Sequence, residues 1–384
     1  MSWTPRERLC TTLKHQEPDR VPVDVQCCLD FYIKLKAHLG MEFEETLEAN
    51  YFREVIPHPL VCARMGWDVV SVKLSKPARA RPNFVEPAEV VDAWGVRRRR
   101  IVLPGGGIQY EAVSHPLAQA RLEDLDSFAW PDPCPPGTTE ETEKQARWMY
   151  ENTNLGLVGR FGGTILELAI DLMGFEAWLA ASVAQPVFAA ALLDRLTDLA
   201  IRGDRIGLEA AGKYIQVLKV SGDDLGMQTG TLYSPRTFRG LILPRLQRRW
   251  QAARDYIDAH LDPEIPLMFH TDGAVRPFIP DMLSAGLGVL NPVQPGCAGM
   301  DLEDLKRDFG DRLVFHGAID VQNVLPFGTP GEVRAAVRSA IRALAPGGGY
   351  ILSPSHFVQS DVPPENIVAM TQAAHEYGSY PLAF

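Results

Sequence analysis

The segment IPLMFHTDGAV, residues 265–275, joins a short apolar run to two polar residues that can bind a metal ion. Residues 265–269 have the length and apolar character of a buried strand, and His270 and Asp272 follow directly. Two interpretations are open. Either the strand simply reaches solvent here, or the chain delivers two ligands or catalytic groups to the mouth of a barrel. The choice depends on the fold of the rest of the chain.

From about residue 140 onward the sequence repeats a unit of short apolar strand, loop and helix. The predicted strands of these units lie at 155–161, 214–220, 265–269, 288–293, 312–317 and 349–353. Two earlier candidates, at 21–27 and 67–74, bring the total to eight. Such repeats predict a parallel sheet covered by helices, either open and doubly wound or closed. Eight strands favour the closed form, an α/β fold of the (β/α)8 TIM-barrel type.

The remaining segments are predicted to extend this barrel. Thr4, Pro5 and Glu7 have the spacing of a capped helix start, so a first helix is expected to run to about residue 15. Further helical patterns cover 30–39 and 43–54. Residues 75–135 are rich in Pro, Gly and β-branched residues and contain a hairpin pattern. We therefore predict one barrel domain over 1–384, with an N-terminal helical extension and a β-hairpin-containing insertion at about 75–135.

Composition narrows the possible partners. Lys and Arg total 38 against 48 Asp and Glu, which gives a formal net charge of −10. This charge argues against nucleic acid or an anionic membrane as the main partner. It fits a strongly anionic substrate only if positive charge is focused locally. The start of the chain has no apolar signal region and no run is long enough to span a bilayer, so we expect a cytoplasmic protein. The 6 scattered cysteines are expected to be free thiols.

The candidate site residues are the polar residues that follow the predicted strands. The active site of such a barrel lies at the carboxyl ends of its strands. The residues in question are Asp24, Arg160, Asp223, Asp224, His270, Asp272, Gln294, Cys297, His316, Asp320 and His356. His270 and Asp272 lie two positions apart, so both side chains can close on one ion. Neutral imidazole and carboxylate suit zinc or another first-row divalent metal, with His356 as the candidate third ligand.

Each of these residues also has a structural interpretation. His270 could be a hydrogen-bonded core histidine, Asp272 a helix N-cap, and His356 a surface-loop histidine. One of the vicinal pair Asp223 and Asp224 could act as an acid with a raised pKa or bind substrate, while the other caps loop amides. His316 lies within a strand that is still running, so it is expected to be structural.

Five stretches together resemble the uroporphyrinogen decarboxylase superfamily. They are RERLCTTLKHQEPDRVPVD (6–24), SGDDLGMQTGTLYSPRTFRGLILPRLQ (221–247), VLNPVQP (289–295), GAIDVQNVLPFGTPGEV (317–333) and PPENIVAM (363–370). The resemblance implies a (β/α)8 barrel and a homodimer. The decarboxylase proper carries an arginine-rich signature, Met-Arg-Gln-Ala-Gly-Arg, near its start. Here RVPVD is followed by VQCCLDFYIKLK (25–36), so decarboxylation of a porphyrinogen is not expected.

The metal motif resembles that of the corrinoid-dependent methyltransferase branch. That branch has His-x-Cys-Gly after one strand and a further Cys in a Pro-Gly-Cys-Gly loop after the last. The corresponding stretches here are HTDG (270–273) and PSHF (354–357). The resemblance therefore implies a metal site of His270, Asp272 and His356. This set is harder and more Lewis-acidic than one with two thiolates, and it suits an oxygen or nitrogen atom of the substrate. Zinc is expected, with iron as the alternative.

The expected activity follows from this resemblance. It is a methyltransferase that moves a methyl group from a small O- or N-methylated compound to a corrinoid protein. Asp223 or Asp224, with Asp320, would orient the substrate or donate a proton. A further set would line the pocket: Arg160, Gln294 and Cys297. Two alternatives stay open: a metal-dependent decarboxylase, lyase or hydrolase without corrinoid, and a barrel retained only for binding.

Overall fold

The computed structural model describes most of the chain. It covers residues 3–383 except 46, 48, 49, 76–86 and 104. Part of the predicted insertion, at 76–86 and 104, therefore lies outside the described residues.

The strands and helices follow the repeating pattern of the sequence. The strands are β1 Cys27–Cys28, β2 Glu54–Val55, β3 Val69–Lys73, β4 Glu89–Val91, β5 Arg97–Val102, β6 Ile108–Ser114, β7 Gly156–Arg160, β8 Val217–Gly222, β9 Gly226–Met227, β10 Gly230–Thr231, β11 Leu267–His270, β12 Leu287–Val293, β13 Val314–Ile319 and β14 Tyr350–Pro354. The helices are α1 Pro5–Leu13, α2 Leu29–His38, α3 Pro59–Met65, α4 Asp124–Ser127, α5 Thr138–Asn152, α6 Leu166–Met173, α7 Phe175–Ala184, α8 Pro186–Ala211, α9 Pro235–Thr237, α10 Leu243–His260, α11 Ile279–Ser284, α12 Leu302–Phe309, α13 Val324–Phe327, α14 Pro330–Leu344 and α15 Pro364–Tyr377. The predicted capping box of Thr4 and Glu7 is formed at α1.

The central sheet is parallel and closes into a barrel. Its seven strands follow the order β3, β7, β8, β11, β12, β13, β14. The chain around Val23 occupies the eighth position: Val23 forms a parallel bridge with Leu352 of β14 and accepts a hydrogen bond from Asp68 N, just before β3. The predicted (β/α)8 barrel is confirmed.

The barrel interior consists of an apolar layer followed by a polar layer. The apolar layer contains Val69, Val158, Val217, Met268, Val289, Val314 and Ile351, with Leu9 of α1 packed against it. Side chains alternate along a strand, so the residues two positions further on point into the same interior, at the carboxyl side. These residues are Ser71, Arg160, Lys219, His270, Asn291, His316 and Ser353. The chain therefore seals the barrel with aliphatic side chains and presents titratable groups above them.

The described residues between 43 and 114, which precede β7, differ in part from the prediction. The predicted hairpin is present as β5 and β6, with β4 paired to β5. The helix predicted over 43–54 is not formed by the described residues of that range. Instead β2 pairs antiparallel with β1, and its Glu54 carboxylate contacts the side chains of Lys73 and Arg160. Ion pairing inside the barrel mouth overrides the local helical pattern.

Among the described residues, no single helix is long and apolar enough to cross a membrane. One bent pair, Phe175–Ala184 with Pro186–Tyr214, passes the length and composition criteria together but turns by 118° at its break.

Asp68 connects the closing segment to the rest of the barrel. Its buried carboxylate accepts hydrogen bonds from Arg8 Nη1 at 2.6 Å, from Arg20 Nη1 at 2.7 Å, and from Val23 N at 2.8 Å. The charges of Asp68, Arg8 and Arg20 are all largely removed from water, so each depends on its ionic partners.

Replacing Asp68 with Asn is expected to destabilise the fold by about 3 kcal/mol, because it leaves the largely buried Arg20 guanidinium with a neutral partner and Arg8 with Asp19 as its remaining carboxylate. The matched control is Glu209→Gln, which removes one charge of an exposed pair with Arg205 on α8. Urea unfolding followed by circular dichroism measures both. Equal midpoints for the two variants would contradict the role given to Asp68.

Candidate metal centre

Three predicted ligands converge at the carboxyl ends of the barrel strands. His270 ends β11, Asp272 lies in the loop after it, and His356 lies two residues after β14. One ligand atom of each lies within 4.8 Å of the other two. His270 Nε2 is 3.8 Å from Asp272 Oδ1, and His356 Nε2 is 3.7 Å from Asp272 Oδ2. Ligand atoms of a tetrahedral zinc ion lie roughly 3.4 Å apart. Small side-chain rotations would therefore close this set around one ion.

The loop after β11 is held from two sides. The backbone N–H of Asp272 donates to Asp224 Oδ1 at 2.9 Å, and that of Gly273 donates to Gln294 Oε1 at 2.8 Å. Gly273 has a φ of +86°, and a Cβ there would lie 2.4 Å from the backbone of Gly226. Glycine is therefore required directly after Asp272, and the two acceptors fix the course of the loop that presents its carboxylate.

The tautomer of His270 follows from its contact with Asn291. The Nδ1 atom of His270 lies 2.7 Å from Asn291 Oδ1, and Lys219 Nζ donates to the same oxygen at 3.2 Å. An ammonium group can only donate, so this end of the amide is the acceptor and His270 donates to it from Nδ1. The Nε2 lone pair, which faces Asp272, is therefore available for a metal ion.

The same amide continues a hydrogen-bond chain across the barrel. Asn291 Nδ2 donates to His316 Nδ1 at 2.7 Å, so His316 carries its proton on Nε2 and donates to Asp24 Oδ2 at 2.9 Å. All three side chains are buried, where polar groups need partners. We call Asp24, His316 and Asn291 the orienting chain, because together they hold the imidazole of His270 from behind.

Burial shifts the pKa of each of the three ligands in the direction that favours the neutral form of the side chain. It lowers the pKa of His270 well below its usual value, with the Lys219 ammonium as the next cause, and it lowers the pKa of His356. It raises the pKa of Asp272 to about 7. Asp272 Oδ1 is buried and accepts no hydrogen bond from the described residues. Two neutral imidazoles and an unpartnered buried carboxylate oxygen fit a divalent cation, which would offset the cost of burying that charge.

Further carboxyl groups lie beside Asp272. Burial and then the charge of Asp272 raise the pKa of Asp224 to about 7. Burial and then Asp224 raise the pKa of Glu167 to about 8. Asp223 differs, because its Oδ1 accepts hydrogen bonds from the backbone N–H groups of residues 165–167 at the start of α6. In the predicted vicinal pair, Asp224 contacts the metal loop and Asp223 anchors a helix.

The remaining predicted residues surround this centre. Arg160 forms a two-bond ion pair with Glu54, at 2.5 and 3.3 Å. Cys297 is buried, and its pKa is raised by burial and then by Asp272 and Asp320. Asp320 accepts two backbone N–H groups of its own loop. Their roles in substrate binding and proton transfer stay predictions.

Sequence reasoning missed four side chains of this region: Lys219, Asn291, Glu54 and Glu167. The first two carried a signal, since each is a polar residue two positions after an inward-facing valine in an otherwise apolar strand. Glu54 and Glu167 carried no such signal. Glu54 lies in a segment that was predicted to be helical, and Glu167 lies at the start of a helix.

Comparison with known proteins agrees with this fold. The family model "Uroporphyrinogen decarboxylase (URO-D)" matches residues 109–377. A methyltransferase from Methanosarcina mazei has a TM-score of 0.65 to this structure. The two are 20% identical, and the match covers 98% of this chain and 99% of that chain. At this identity the likeness establishes the shared fold alone.

Curated relatives named uroporphyrinogen decarboxylase match at low identity. One from Pseudoalteromonas atlantica is 23% identical over 194 residues, which is 49% of this chain and 48% of the relative. One from Psychromonas ingrahamii is 22% identical over 262 residues, which is 66% of this chain and 68% of the relative. The chain thus spans about half the length of the first of these and two thirds of the second. Because the family model itself matches more than half of the chain, the chain belongs to the uroporphyrinogen decarboxylase (URO-D) family.

Proposed function

We propose that this protein is a metal-dependent methyltransferase that moves a methyl group from a small O- or N-methylated compound to a corrinoid carried by a partner protein. The observation that carries the proposal is the convergence of His270, Asp272 and His356 within 4.8 Å, with one carboxylate oxygen buried and unpartnered. The fold shared with a methyltransferase over nearly the whole chain supports it.

The ligand set favours oxygen or nitrogen substrates. When bound, a divalent ion would act as a Lewis acid on the heteroatom that loses the methyl group. Zinc is the proposed metal, with iron as the alternative because two histidines and one carboxylate also suit iron. Thiol substrates are not proposed, since the set contains no thiolate.

The residues around the metal ligands have separate proposed roles in orienting a ligand, holding a proton and shaping the pocket. The orienting chain keeps the His270 Nε2 lone pair directed toward Asp272. Asp224, whose pKa is raised by burial and then by the Asp272 carboxylate, is the proposed donor of a proton to the heteroatom once the methyl group has left. Gln294 fixes the metal loop, and Cys297 lines the mouth near Asp272 and Asp320.

A second candidate is a metal-dependent decarboxylase or other lyase that needs no corrinoid. The printed name of the curated relatives favours it, and so do the cationic side chains at the barrel mouth, which could bind a carboxylate that leaves. It differs from the first proposal in that the chain would act alone. A homodimer also stays a prediction from the family resemblance.

Zinc affinity tests the ligand set. His270→Ala and His356→Ala are each expected to abolish near-stoichiometric zinc binding, because each removes one of three ligands. Asn291→Leu keeps all three and is expected to weaken binding about 10- to 100-fold, because His270 loses the acceptor that fixes its tautomer. Competition with a chromophoric chelator measures the dissociation constants.

The matched control is His260→Ala. His260 is exposed at the end of α10 and contacts a backbone carbonyl of its own helix, so zinc affinity should not change. Wild-type affinity in either ligand variant, or an equal loss in the control, would refute the proposed ligand set.

Turnover with and without a corrinoid separates the two candidate functions. Zinc-loaded protein is incubated with small methyl ethers and methylamines, and the demethylated product and the corrinoid absorbance are followed. The methyltransferase proposal predicts product only with added cob(I)alamin, methylated corrinoid in equal amount, and loss of both in Asp272→Asn. Carbon dioxide released without corrinoid from a methoxy carboxylic acid added to the same assay would favour the lyase instead.

A further inference from the structure

Three cationic side chains lie side by side at the carboxyl ends of β3, β7 and β8. Lys73 pairs in register with Arg160, and Arg160 pairs in register with Lys219. Each follows an inward-facing valine of the apolar layer by an even number of residues, so all three point into the barrel. The strands therefore build a row of positive charge on one side of the interior, which we call the cation row.

The acidic partners of the cation row do not balance it. Glu54 contacts Lys73 at 3.0 Å and Arg160 at 2.5 Å. Asp24, the next carboxylate, acts on Lys219 from further away and is itself engaged by His316. Asp272 also acts on Lys219, but it belongs to the proposed metal ligands. Apart from it, two carboxylates face three cations, in a chain whose formal net charge is −10. This is the local focusing that an anionic substrate requires.

Lys219 is the member without an anionic contact. It is 7% exposed, and its ammonium donates to the neutral Asn291 amide at 3.2 Å. No carboxylate of the described residues lies within ion-pair distance of it. Burial and then the charge of Arg160 lower its pKa to about 7. An anion that reaches this buried ammonium group would stabilise its charged form.

The cation row adjoins the metal centre. Lys219 Nζ and His270 Nδ1 contact the same oxygen of Asn291. Arg160 is 23% exposed at its side chain and keeps further N–H donors beyond the two that bind Glu54. The charges of Lys219 and Arg160 both act on His270, so a small molecule whose heteroatom lies at the metal ligands lies near these two cations.

We propose that Arg160 and Lys219 form a carboxylate-binding subsite beside the metal centre, so that the methylated substrate is a small carboxylic acid. The inference rests on the proposed methyl transfer for the position of the methyl group. The excess of cations over the two carboxylates beside them suits a monoanion, and the N–H groups of Arg160 that do not bind Glu54 can donate to its carboxylate. The subsite fixes the distance between the acid group and the methylated heteroatom.

The test compares three methyl ethers of similar size and different charge: methoxyacetate, 2-methoxyethanol and 2-methoxyethylamine. Ligand-observed nuclear magnetic resonance measures their dissociation constants for zinc-loaded and chelator-treated protein. Methoxyacetate is expected to bind about 10- to 100-fold more tightly than the alcohol, as hydrogen bonds to charged groups do. The amine should bind most weakly. The preference for the acid should survive zinc removal, because the subsite belongs to the protein.

Lys219→Met is expected to remove the preference, and Lys219→Arg, which keeps the charge, to retain most of it. The matched control is Lys213→Met, since Lys213 is exposed outside the barrel and pairs with Glu143. If Lys219→Met does not fold, the comparison of acid with alcohol in the wild type still decides the matter.

Two results would overturn the subsite. One is equal binding of acid and alcohol to the wild type. The other is a preference that disappears with zinc but persists in Lys219→Met, because the carboxylate would then bind the metal. Methyl transfer from the neutral ether as fast as from the acid would also refute the subsite while leaving the proposed function intact. Preferential binding of the acid with no methyl transfer from any ether or methylamine would refute the proposed function alone.

Discussion

The side-chain amide of Asn291 connects the two charged regions of the barrel interior. Its oxygen accepts hydrogen bonds from His270 and Lys219, and its nitrogen donates to His316. This neutral amide sets the tautomer of the metal ligand His270 and lies between that ligand and the buried ammonium of Lys219. It also supplies the hydrogen-bond donor for Nδ1 of His316. Burying His270, Lys219 and His316 above an apolar layer is tolerable because the Asn291 amide gives each of them a hydrogen-bond partner. The metal centre and the cation row both depend on this one side chain.

Much of the fold follows from sequence pattern. The capped start of α1 at Thr4 was predicted from residue spacing, and the eight strand positions were predicted from short apolar runs. The metal ligands were predictable for the same reason, because His270 and Asp272 follow a strand and barrel sites lie at strand ends. Local sequence pattern and the order of strands along the chain are enough to predict residues that directly follow a strand.

The rest of the site depends on long-range geometry. Lys219 and Asn291 each follow a valine by two positions, but closure of the barrel decides which of the two alternating faces of the strand points inward. The segment 43–54 has a helical pattern, yet Glu54 belongs to a strand that reaches Lys73 and Arg160 from far along the chain. Asp223 and Asp224 are adjacent, but one meets the start of α6 and the other the metal loop. Tertiary contacts decided between roles that the sequence left equal.

The central claim is that two imidazoles and one carboxylate hold the metal, and X-ray absorption spectroscopy of the zinc-loaded protein tests it most directly. The account predicts a first shell of nitrogen and oxygen atoms at about 2.0–2.1 Å, with the outer-shell scattering of two imidazole rings and no sulfur. A sulfur atom at about 2.3 Å would identify Cys297 or another thiolate as a ligand and contradict the proposed set. A shell without imidazole scattering would contradict the metal centre itself.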